Sequence, residues 1–208
     1  MQFLSKLKAI SFIVLSGVSC SGLAGEYATT SEHQALGKGE TVTFNKDATF
    51  HLEGMGLKVG DLFPMVALRS PNLDEVMTGG SGKKKVYVVV PSLDTPVCQV
   101  QVKELDALIN KYKDDFKNVD VTVVSADTPF SQARYITAEH ISPKVKFLSD
   151  YVDHKFGLRT GTQIRELSLL SRGVFVVNDI GVITYMQRVP ELTAMPDMMK
   201  AIKALQKI

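Results

Sequence analysis

Hydrophobic positions change period several times along the chain, and the changes mark out the elements. TVTFNKD and ATFHLEG (41–54) read as two short strands joined at Asn45-Lys46-Asp47, the pattern of a β-hairpin. Residues 65–69 (MVALR) predict a short strand, and 86–91 (VYVVVP) a β-branched run suited to a strand buried on both faces. From Cys98 the period lengthens. Apolar residues recur at Val102, Leu105, Ile109, Tyr112 and Phe116, in steps of four and three, which predicts a helix. A strand at 119–126 follows, then a helix at 129–141 with Pro129 at its first turn. A strand at 145–150 and a hairpin over 173–187 around Asn178-Asp179-Ile180-Gly181 come next. Met198, Met199, Ile202 and Leu205 then line one face of a closing helix, as core and not as a cofactor box. Strand, helix, strand, helix, hairpin and helix amount to an α/β fold with a mixed central sheet.

The two ends of the leader region have a different character. Residues 1–24 combine Lys6 and Lys8, an apolar run from Ala9 to Val18, and the small residues Gly22-Leu23-Ala24. That is the layout of a secretory signal peptide, with an apolar run short for a membrane span. Export to a bacterial periplasm is the expectation. Cys20, just behind the apolar core, is either removed with the leader or lipidated as a membrane anchor. Gly17-Val18-Ser19 lacks the Leu usual in such lipid-attachment sites, which favours removal. Residues 25–40, polar and aperiodic, read as a flexible tail before a domain at 41–208.

The whole chain has 24 basic and 22 acidic residues in 208, and loss of the leader leaves 22 of each. A balance near zero gives no nucleic-acid or polybasic membrane signal. Lys83-Lys84-Lys85 reads as a solvated strand entry. GGSGKKK (79–85) fails as a phosphate loop, because Lys84 stands where Ser or Thr is required. His33, His51, His140 and His154 are scattered without ligand spacing, so no metal or other cofactor is expected. No G-x-S-x-G elbow and no C-x-x-C pair occur, which argues against a hydrolase and a dithiol exchanger.

One thiol remains in the domain, Cys98 in PSLDTPVCQVQ (91–101). An isolated cysteine usually just packs as a small hydrophobe. This one falls where a buried strand ends and a helix begins, beside the unpaired amides of a helix N-terminus, which favour an anion such as a thiolate. Thr95 lies three residues earlier, within reach of the sulfur across one turn.

Pro91-x3-Thr95-x2-Cys98 resembles the active-site motif of the peroxiredoxins. PSLDTPVC, SADTPFSQAR, LSD (148–150), IRELSLLSRGVFVVNDIG (164–181) and the early KVGDLFP are similar in order and spacing to the thiol peroxidase branch, over about residues 40–208. The resemblance implies a thioredoxin-like fold with an N-terminal β-hairpin. It implies Cys98 as the peroxide-attacking sulfur, Thr95 as the hydroxyl bonded to it, Arg172 as the cation that holds the thiolate and polarises the peroxide, and Pro91 as a shield against water. Taken singly, Thr95 could be a helix cap, Arg172 a surface cation and Pro91 a strand terminator. Gln132 and Arg134 lie in a matching block without an implied catalytic role. A homodimer is the family's default.

The chain departs from that pattern at Ile136, where the branch carries a resolving cysteine; no cysteine follows Cys98. The expectation is a one-cysteine peroxidase acting on hydrogen peroxide or organic hydroperoxides. An external thiol such as a thioredoxin-like protein would recycle it. The alternative is a peroxide sensor or a scaffold that binds without turnover.

Overall fold

The computed structural model describes residues 27–208. The expected leader and Cys20 lie outside the described residues. In chain order the strands and helices are β1 (Thr29–Thr30), β2 (Thr41–Phe44), β3 (Ala48–Glu53), β4 (Ala67–Arg69), β5 (Glu75–Met77) and β6 (Lys84–Val89). Then come α1 (Pro96–Lys111), β7 (Val119–Ser125), α2 (Pro129–Ala138), β8 (Val145–Ser149) and α3 (Lys155–Thr160). The chain closes with β9 (Gln163–Ile164), β10 (Leu169–Leu170), β11 (Gly173–Val177), β12 (Ile183–Arg188), β13 (Met195–Pro196) and α4 (Met198–Leu205).

A seven-stranded sheet runs in the order β12-β11-β6-β7-β8-β4-β5. Its middle, β6-β7-β8, is parallel, as α1 and α2 crossovers require, and its flanks are antiparallel. Val88, Val89 and Val90 have no exposed surface, so the β-branched run is covered on both faces, as its composition predicts. On one face Val86, Val88, Val121, Val123, Val174 and Val176 pack with α1, α4 and Tyr135 of α2. On the other, Tyr87, Val89 and Phe175 meet Phe63 and Phe156, with the Phe63 and Tyr87 rings stacked at 4.3 Å. The hairpin β2–β3 belongs to a second sheet, β10-β9-β3-β2, over a small core of Val42, Leu52, Ile164 and Leu192.

Four expectations need correction. Residues 27–40 are not a free tail. Thr29–Thr30 pairs in parallel with β13, Leu36 is buried, and Gln34 N–H donates to the Arg188 carbonyl. The reason is Arg188, whose guanidinium is buried and must find acceptors: it donates to the carbonyls of Ala35 and Thr41, both offered by this segment or its end. Gln187 Nε2 donates likewise to the carbonyls of Thr30 and Glu32. Second, α1 stops at Lys111, and Phe116, though in period, is buried from a turn. Third, Met199 points outward, 38% exposed; Met198, Ala201, Ile202 and Leu205 form the inner face of α4. The lysine run is also less solvated than expected, since Lys84 Nζ donates to the terminal Ile208 carbonyl and Lys85 Nζ to that of Gly80.

Candidate active site

The site is built where β6 ends. Val90 N–H still donates to the Val124 carbonyl, and the buried Pro91 then turns the chain off the sheet. The loop to α1 is tied down by Asp127, just beyond β7, which accepts from Ser92 Oγ (2.7 Å) and Leu93 N–H (2.8 Å). Thr95 occupies the N-cap position with extended backbone (φ −112°, ψ 140°), and Pro96 opens the helix without needing a donor. Cys98 is therefore in the first turn of α1, where backbone N–H groups point out of the helix and carry partial positive charge. Its side chain has no exposed surface.

Thr95 does not cap the helix with its side chain. Its hydroxyl lies 2.9 Å from Cys98 Sγ and 2.9 Å from the Ser92 carbonyl. A hydroxyl has one proton, so it serves one of these at a time. With the thiol, S–H donates to Oγ1 and Oγ1–H to Ser92. With the thiolate, the hydroxyl turns to the sulfur, while the Ser92 carbonyl keeps the Thr95 backbone N–H at 3.1 Å. The sulfur's charge can thus change without orphaning a group in the loop.

Arg172 immediately precedes β11 and is 2% exposed, so it is a buried cation and not a surface one. Its guanidinium is spread over three partners. Nη2 donates to Cys98 Sγ at 3.2 Å, Nη1 to Gln101 Oε1, and Nε to the Leu192 carbonyl at 3.1 Å. A neutral acceptor on two arms leaves the positive charge uncompensated except by the sulfur. Gly173 beside it allows close approach of β12: a Cβ there would stand 2.5 Å from the Gln187 carbonyl oxygen.

Of the residues singled out in the sequence, Cys98, Thr95 and Arg172 come together; Pro91 is buried where the chain leaves β6. Gln132 is a structural pin, buried, with Nε2 donating to Ser125 Oγ and the Leu148 carbonyl. Arg134 is exposed, 3.7 Å from Asp94. Ile136, at the position of the missing resolving thiol, is half-buried on α2. Two groups were missed. Gln101 is a polar side chain on the apolar face of α1, three residues after Cys98, and that misplacement was a readable signal. Tyr135, one residue before Ile136, donates from its hydroxyl to the Gln99 carbonyl in the first turn of α1. Burial, then Glu139, Cys98 and Asp106, push its phenol well above the usual range, so it stays a donor. Among the described residues, no group of three or more His, Cys, Asp or Glu side chains is placed to hold a metal ion, and no helix is long and apolar enough to cross a membrane.

The comparisons with known proteins bear on the fold and the family. Residues 58–202 match the Redoxin family model. The chain is 39% identical over 155 residues to a thiol peroxidase of Clostridium acetobutylicum, covering 74% of this chain and 92% of that one. It is 38% identical over 168 residues to a thiol peroxidase of Bacillus subtilis, covering 80% and 97%. Among solved structures, a peroxiredoxin-like protein from Aquifex aeolicus superposes with a TM-score of 0.74 at 32% identity, over 82% of this chain and 98% of that one. A thiol peroxidase from Chromobacterium violaceum, 20% identical, shares the fold with a TM-score of 0.71 over 82% and 97%. With its thioredoxin-like sheet, a buried cysteine at the head of α1 and relatives of this extent, the chain belongs to the redoxin family, in its peroxiredoxin-like thiol peroxidase branch.

Proposed function

We propose that the protein is a thiol-dependent peroxidase with Cys98 as its reacting sulfur. One observation carries this reading: two donors from distant parts of the chain, Thr95 Oγ1 and Arg172 Nη2, converge on a buried Sγ in the first turn of a helix. The thiolate attacks the hydroxyl oxygen of a hydroperoxide. An S–O bond forms as the O–O bond breaks, two electrons leave sulfur, and the departing alkoxide or hydroxide takes a proton from water. Arg172, held in place before the reaction, meets the charge that grows on the oxygens, which is where preorganised donors lower a barrier.

Cys98 is the sole cysteine among the described residues, and in the proposed cycle its sulfenic acid is recycled from outside. One thiol condenses with it, releasing water and leaving a mixed disulfide; a second thiol displaces the enzyme sulfur and restores it. The mature chain acts as an exported homodimer, a reading that rests on the leader-like residues 1–24 and on the family likeness; native mass and the intact mass of the exported form, with or without lipid on Cys20, test those parts.

The deciding experiment is peroxide consumption by wild type and Cys98→Ser with a panel of thiol donors, alongside dimedone trapping. The expected outcome is one dimedone adduct on Cys98, steady turnover with at least one donor, and none in the serine variant. A wild type that gains no oxygen and consumes no peroxide overturns the reading. Rapid oxidation without turnover by any donor identifies a sensor instead.

A further inference from the structure

The catalytic arginine is oriented by a carbonyl, and that carbonyl sits in a loop. Arg172 Nε donates to Leu192 O, in the stretch between β12 and β13. Nothing in a six-residue loop fixes a carbonyl by itself. Here the fixing comes from the neighbouring carboxylate. Glu191 accepts from Thr43 Oγ1 (2.6 Å), Asn45 N–H (3.0 Å) and Lys46 N–H (3.0 Å) on the β2–β3 hairpin, and from Thr193 N–H (3.0 Å) and Oγ1 (2.9 Å) in its own loop. Asn45 and Lys46 are both left-handed, at φ 52° and 64°, which aims their successive N–H groups at one point. Leu192 is then clamped on both sides: its N–H donates to Thr43 O at 2.8 Å, and its side chain is buried in the small core under the hairpin.

A surface loop whose sole task was to connect two strands would not need a carboxylate with five donors. We infer that Glu191 is a positioning residue for the Cys98 reaction, holding the Leu192 carbonyl so that Arg172 points Nη2 at the sulfur. The hairpin is thus an outer support of the active site, although it belongs to a different sheet. The inference rests on the proposed reaction at Cys98, but the geometry of the relay is independent of it. Burial opposes ionisation of Glu191; the hydrogen bonds from Thr43, Thr193 and Lys46 outweigh it and hold its carboxyl below the usual range, so the acceptor is fully charged at neutral pH.

A double-mutant cycle tests it. Glu191→Gln keeps the shape of the side chain and turns an amide NH₂ toward donors. Single-turnover formation of the sulfenic acid is measured in wild type, Glu191→Gln, Arg172→Met and the double variant. The expected result is a loss of about tenfold from Glu191→Gln when Arg172 is present, as misorientation of a positioned group gives, and a change of less than about twofold when it is absent. A merely structural Glu191 gives the same fold-loss in both backgrounds, and that outcome overturns the inference, as does a wild-type-like rate in Glu191→Gln. Iodoacetamide alkylation of Cys98 in the same four proteins repeats the cycle without peroxide. A wild type inert to peroxide therefore sinks the peroxidase reading alone, while alkylation still decides Glu191. If Glu191→Gln does not fold, Thr43→Val removes one of the five donors and goes through the same cycle, with a smaller loss that again vanishes without Arg172.

Discussion

Thr95→Val isolates the hydroxyl at the sulfur. Valine replaces the hydroxyl by a methyl group of nearly the same size, so the loop and helix start keep their packing. Two contacts are at stake, both at 2.9 Å, and only one carries the proton in each charge state. In the thiol state the variant loses a neutral hydrogen bond to the Ser92 carbonyl and the weak one from the thiol S–H, together about 1 kcal/mol. That carbonyl still has the residue 95 amide at 3.1 Å, so it is not orphaned. In the anionic state the variant loses a bond to charged sulfur, about 1.5–3 kcal/mol, and in a site closed to water nothing replaces it.

The difference, roughly 0.5–2 kcal/mol, bears on the reacting form relative to the resting one and corresponds to a ~2- to 30-fold slower attack on peroxide. Stopped-flow oxidation of Cys98 with excess hydrogen peroxide, read as a second-order rate constant, gives the number. A thermal melt alongside should move little, since the one buried donor that loses its acceptor is the thiol S–H, a weak donor. A rate constant unchanged within experimental error would refute the argument that this hydroxyl serves the anion. A large fall in melting temperature would show that it serves the fold instead.

Other consequences concern the scaffold. Leu105 has no exposed surface in the core between α1 and the sheet, so Leu105→Ala should cost ~2–5 kcal/mol in guanidinium unfolding; a loss under about 1 kcal/mol would mean that the core relaxes around it. His33 Nδ1 accepts from the Arg188 backbone N–H at 3.1 Å and can do so only when neutral. Burial, then the Arg188 charge, lowers its pKa below the ordinary 6.5. The unfolded chain therefore takes up the proton first, and stability present above about pH 6.5 declines as pH falls toward the lowered folded value. Thermal melts of wild type and His33→Gln across this window should converge on acidification, and parallel curves would exclude the latch.

The contact between Thr95 and Cys98 was legible because its signal is local. Thr95 and Cys98 share one turn, and both the helical period from Cys98 and the buried strand before it are written in side-chain types. Arg172 was legible only through its place in a longer matching block; alone it is an arginine before a strand. What holds Arg172 was not legible. Leu192 contributes a carbonyl, which every residue has, and Glu191 sits in a segment without period. The N-terminal segment failed for a related reason. It supplies backbone acceptors to a buried guanidinium and one buried leucine, and neither leaves a hydrophobic pattern. Two-residue strands such as β9, β10 and β13 are likewise below the length at which alternation can be seen.

These failures share a cause that bears on the chemistry. A buried sulfur at a helix head attracts any donor, so the fold must stop its arginine from choosing a better acceptor. Carboxylates are the usual rivals, and Arg172 meets none: its other arms end on an amide oxygen and a peptide carbonyl. The carboxylate next in sequence to Leu192, that of Glu191, is engaged by five donors of its own. Those donors hold Glu191 to the hairpin and to its own loop, and its link to the guanidinium runs only through the backbone at Leu192. A sulfur attended by an arginine already paired with an acid would have lost most of that charge. The neutral second and third partners of Arg172 are thus as much a part of the site's reactivity as its contact with Cys98.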